Sequence, residues 1–176
     1  RIQILAIYLQ NKPKEAIVIA KKFLQQLDIT FPEAPTEEDI QIRIAEIDEL
    51  IGDREVEDLL NLPMMTDREK IAIIQITNSI VSAAYSSSPS LFPLLGILSV
   101  KLSIQYGNIP ASVYSYAIYS VVACFILRNI DVAVKFGELA LQLISKLDAK
   151  TSKTEVLDVL GGYIVHRKSH VKKTLP

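Results

Sequence analysis

Tryptophan is absent from the 176 residues, cysteine occurs once and histidine twice. A lone cysteine, Cys124, excludes an internal disulfide and a cysteine-based metal framework, and it fits a reducing, cytoplasmic compartment. Glycine is scarce as well. The six glycines, Gly52, Gly96, Gly107, Gly137, Gly161 and Gly162, are placed so that neither a phosphate-cradling Walker loop nor a dinucleotide fingerprint can be written. The net charge of −1 leaves no global field to recruit nucleic acid or an anionic membrane. Charge is nearly missing from the middle of the chain, where Lys101 is the only charged residue between Lys70 and Arg128.

What is present is a core. With 49% hydrophobic and 22% charged residues, the chain is long enough to fold as one domain or one block of stacked repeats over 1–176. Apolar residues recur at helical spacing, and no run of period-two alternation persists, so the fold class is all-α. Lys14–Leu27 places Ala16, Ala20, Phe23 and Leu27 on one face, widened by Ile17 and Leu24; the prolines in Asp28–Pro35 then break the helix. Thr36-Glu37-Glu38-Asp39 is a cap-like start for a stripe of Ile40, Ile44, Ile47 and Ile51, closed by Gly52.

Thr66-Asp67-Arg68-Glu69 spells a capping box before Ile71, Ile74, Ile80, Val81 and Ala84, and that helix stops at Ser86-Ser87-Ser88-Pro89. Leu91, Leu95, Leu98 and Leu102 mark the next, with Pro93 in its first turn and Tyr106-Gly107-Asn108 as a left-handed stop. Pro110–Leu127 is apolar nearly all round, as a central helix should be. After a turn at Arg128–Asp131, Ala133, Phe136, Ala140, Ile144 and Leu147 define a further helix; Ser152-Lys153-Thr154-Glu155 spells a second capping box before Val156, Leu160 and Tyr163. Arg1–Tyr8 reads as the second half of another helix without signal-peptide organisation, so the chain is expected to be a segment of a longer protein.

Small residues at Ala16 and Ala20, and at Ala133, Gly137 and Ala140, allow close helix approach. The expectation is a set of stacked antiparallel hairpins, a tetratricopeptide-like α-α superhelix of about eight helices joined by short turns. A segment cut from a stack has bare ends. Ile2, Ile4, Leu5 and Tyr8 at one end, and Val156, Leu160, Tyr163 and Ile164 at the other, are therefore expected on partly exposed surfaces that support weak self-association.

Residues with chemical potential read as structural. His166 and His170 stand four apart, as a helical metal pair would, but further ligands are missing, and they read as a polar helix end. Arg167, Lys168, Lys172 and Lys173 form a short basic run read as a solvated face. The acids from Glu37 to Asp58, among them Glu46, Asp48, Asp53, Glu55 and Glu57, read as surface or as an acidic contact face. Cys124, in the most apolar helix, is expected to be a buried, inert thiol, and Tyr114, Tyr116 and Tyr119 to pack the core. No residue is assigned as catalytic, cofactor-binding or metal-ligating.

Two readings explain the charge-poor stretch. Residues 71–127 form either the covered middle of a helical stack or a membrane-embedded segment. Interruptions at Asn78, at Ser86 to Ser90 and at Tyr106 to Pro110 leave apolar pieces mostly too short to span a bilayer, which favours the stack.

Three strings carry a resemblance. Glu57-Asp58-Leu59-Leu60-Asn61-Leu62-Pro63-Met64-Met65-Thr66-Asp67, Leu102-Ser103-Ile104-Gln105-Tyr106-Gly107-Asn108 and the run from Asn129 to Leu141 resemble the helical region of very large signalling kinases common in cyanobacteria. Those proteins join a serine/threonine kinase-like domain, an AAA-type predicted ATPase, a long helical stretch, a GAF sensor and often a histidine kinase. The family's histidine-tryptophan-basic-acidic-histidine run reads His166-Arg167-Lys168-Ser169-His170 here, without the tryptophan or the acid. The resemblance implies a non-catalytic connector whose partners are neighbouring domains, another protein or a peptide, with the catalytic domains outside these residues.

Overall fold

A computed structural model describes residues 12–165. Seven α-helices lie among them: α1 (Pro13–Gln25), α2 (Glu37–Ile51), α3 (Arg68–Ser87), α4 (Leu91–Tyr106), α5 (Ser112–Phe125), α6 (Ile130–Lys146) and α7 (Lys153–Leu160). Short 3-10 turns occupy Val56–Asn61 and Lys150–Ser152, and a π turn, Gly161–Val165, extends α7. The described residues hold no β-strand, only an isolated bridge between Met64 and Asn108. The expected helix at Arg1–Tyr8, the His166/His170 pair and the basic run through Lys173 lie outside the described residues.

The helix starts show which sequence signals were used. Thr36 caps α2 as its spelling predicts: the Asp39 amide donates to Thr36 Oγ1 (3.1 Å) while the Thr36 amide donates to Asp39 Oδ2 (2.8 Å). The expected boxes at Thr66 and Ser152 do not form. Asp67 takes the cap of α3, its Oδ1 accepting from the amides of Glu69 (2.9 Å) and Lys70 (3.2 Å), and the Glu69 carboxylate turns instead to Lys70 Nζ. Ser152 ends a 3-10 turn that runs straight into α7, so its backbone is already helical and its side chain makes no capping bond. A capping hydroxyl needs the extended backbone that Thr36 has and Ser152 lacks.

Packing follows two rules. Consecutive helices α3 to α6 pack each on the next, whereas α1 packs on α3, α2 on α4 and α5 on α7. The first two described helices thus do not form the expected hairpin; the proline-containing loop 26–36 carries α2 to a different neighbour. Ala16, Ile17 and Ala20 cluster with Ile80, Val81, Ala83 and Ala84, and Leu24 clusters with Ile73 and Ile74, so α1 runs antiparallel to α3. The buried face of α1 is Ala16, Ile17, Ala20 and Leu24. Phe23, expected inside, is 41% exposed, because α3 approaches from the Ile17/Leu24 side.

Helix α5 is central: twelve of its fourteen residues are buried, Tyr116, Tyr119 and Cys124 among them. The charge-poor sequence between Lys70 and Arg128 is therefore largely the inside of the fold. No helix among the described residues is long and apolar enough to cross a membrane, which leaves the embedded reading of 71–127 without an element to carry it. At the far end, Val156, Leu160 and Ile164 are buried rather than bare, and Leu157 is the exposed apolar residue of α7. The expectation of an uncovered apolar end fails at these three positions because α5 and α6 cover them.

Candidate functional site

The segments carrying the three strings meet at one place. Gly107 closes α4 with φ +107°, a conformation that side-chain-bearing residues rarely adopt, and a Cβ there would stand 2.3 Å from the Pro63 carbonyl oxygen. That close approach lets the Asn108 amide donate to Pro63 O (2.8 Å) and the Met65 amide to Asn108 O (3.0 Å). The Asn108 side chain, 1% exposed, completes the latch: its Nδ2 donates to Leu59 O (2.8 Å) and its Oδ1 accepts from the Tyr116 hydroxyl (2.9 Å). The Tyr116 ring stacks on Phe136 of α6, and Tyr119 meets the same ring edge-on. Outside this core, Lys135 pairs with Glu55 (2.8 Å), and Lys146 donates to Leu60 O (2.8 Å) and Asn61 Oδ1 (2.9 Å).

Burial drives both phenols, Tyr116 and Tyr119, well above the ordinary tyrosine range, so they stay protonated and act as hydrogen-bonding packing groups. Lys135 holds the Glu55 carboxyl below its usual range through their hydrogen bond, and Glu55 raises Lys135 in return. This latch is built to hold elements together. It contains no nucleophile beside a base.

A concavity lies beside it. The loop Asp28–Pro32, α2 and α4 enclose a cleft of about 350 Å³, floored by Leu94, Ile97, Leu98 and Leu102 and walled by Phe31. Its rim carries charge of both signs. Lys101, the lone charge of the middle sequence, pairs with Glu46 Oε2 (2.7 Å), and Arg43 approaches the other oxygen of that carboxylate at 3.5 Å. The hydrogen bond from Lys101 is the main reason the Glu46 carboxyl lies below its ordinary range. Lys70 sits 5.9 Å from the centre of the Tyr106 ring, and its hydrogen bond with Glu69 raises its affinity for the proton.

A second groove of about 310 Å³ runs between α3, α4, α5 and α7, lined by Tyr85, Phe92, Tyr114, Ile118 and Tyr163. Tyr85 stands edge-on to both Phe92 and Tyr163, and Phe125 edge-on to Tyr163. The neighbouring Tyr85 hydroxyl is the main reason the Tyr163 phenol lies above its ordinary range, and burial adds to it.

Cys124 is a buried, unbridged thiol, where the sequence places it. Several members of the acidic stretch are bonded within the fold: Asp39 in the α2 cap, Glu46 to Lys101, Glu55 and Glu57 to Lys135. Among the described residues no three of histidine, cysteine, aspartate and glutamate are grouped to hold a metal ion. Neither the Asn108 hub nor the Glu46–Lys101 pair was anticipated. The only signals were the glycine before Asn108 and the isolation of Lys101 in an uncharged stretch. The chain matches no family model, and neither a curated protein nor a solved structure is significantly similar to it.

Proposed function

We propose that the chain is a non-catalytic helical scaffold that couples neighbouring domains of a signal-transduction protein, of the kind that joins kinase-like, ATPase and sensor domains. The observation that carries this reading is the use made of the three strings: the first two bond to each other through Leu59, Pro63, Met65 and Asn108, Lys135 of the third pairs with Glu57 of the first, and apolar residues of all three enter the core. Sequence spent on such a latch specifies a rigid block, which is what a connector needs. The layering of helices two apart, α1 on α3, α2 on α4 and α5 on α7, is the feature this reading takes as tetratricopeptide-like. The cleft between α2 and α4 is the face offered to a domain or peptide.

The experiment is a calorimetric titration of the full chain with separately purified kinase-like, ATPase, GAF and histidine-kinase domains from a protein bearing the three strings. At least one saturable complex is expected, weakened tenfold or more by Arg43→Glu or Lys101→Glu in variants that keep the parent thermal midpoint. Absence of binding to every domain overturns the coupling role. Binding that neither substitution affects overturns the assignment of the cleft.

A further inference from the structure

We draw no further inference here: the strongest candidate, the aromatic groove between α3, α4, α5 and α7 that Tyr85, Phe92 and Tyr163 line, is an apolar face, and nothing among the described residues shows what covers it.

Discussion

The backbone at Gly107 passes so close to Pro63 that a single methyl group on Gly107 would sit 2.3 Å from the Pro63 carbonyl oxygen. Relief would require moving backbone, since the obstructing atom belongs to no side chain. The positive φ of Gly107 adds its own cost for any residue with a Cβ. Gly107→Ala is therefore expected to destabilise the fold by about 3 kcal/mol or more, the sum of overpacking and backbone strain. Urea denaturation measures it. An unchanged midpoint would mean that the Pro63 to Met65 segment is not held against the α4–α5 turn.

Asn108 and Tyr116 form a buried pair whose loss should be cooperative. Asn108→Ala strips the Tyr116 hydroxyl of its acceptor and leaves the Leu59 carbonyl only the long bond from the Leu62 amide (3.4 Å), a cost of about 2–3 kcal/mol. Tyr116→Phe alone removes one bond and should cost about 1–2 kcal/mol. In the Asn108→Ala background the tyrosine substitution should cost less, since the hydroxyl has already lost its acceptor. A double-mutant cycle that closes with strict additivity would contradict the geometry.

Gly137 faces α7, where an added Cβ would lie 3.1 Å from Leu160 Cδ2. Gly137→Leu should push the two helices apart and destabilise by about 1–3 kcal/mol, as overpacking of a closed contact does. Combining it with Leu160→Ala should recover part of that loss by making room. If the double variant is no more stable than Gly137→Leu alone, the two residues do not meet.

Among the described residues, Thr77 Oγ1 and Ser99 Oγ are fully buried without a hydrogen-bond partner. Burying an unpaired hydroxyl is unfavourable, whereas valine has nearly the shape of threonine without the polar atom. Thr77→Val is therefore expected to raise stability by about 1 kcal/mol, read from the denaturation midpoint. A drop of similar size would reveal a hydrogen bond at that site.

Acid should loosen the fold through identified carboxylates. Asp39, Glu46 and Glu55 bind the proton more weakly in the folded chain than in the unfolded one, because Thr36, Lys101 and Lys135 respectively bond their ionised forms. Their contribution is complete above the ordinary carboxylate range and is lost as pH falls through the lowered folded values. Asp48 works the other way: burial raises its pKa, so its protonation on acidification adds stability. Stability should decline below about pH 4, where ordinary carboxylates titrate. Lys101→Met should flatten the decline, and Asp48→Asn should steepen it. Parallel pH profiles for parent and variants would show that these groups do not govern acid sensitivity.

Apolar periodicity, with the caps, prolines and glycines between the runs, determined the class of this protein, the seven described helices to within a few residues, and the burial of α5. Those features need only signals that each segment carries itself, chiefly where apolar side chains fall on a 3.6-residue repeat. The cap at Thr36 was legible for the same reason, since its partners lie three residues apart. The tertiary structure alone decided that Phe23 faces outward and that α1 docks on α3 instead of α2. It also decided that Asn108 spans from Leu59 to Tyr116, and that Lys101 answers Glu46 across 55 positions of chain. Each of these depends on which of several sterically acceptable neighbours a side chain meets. That choice is made by the joint packing of helices distant in sequence, which no local spacing encodes.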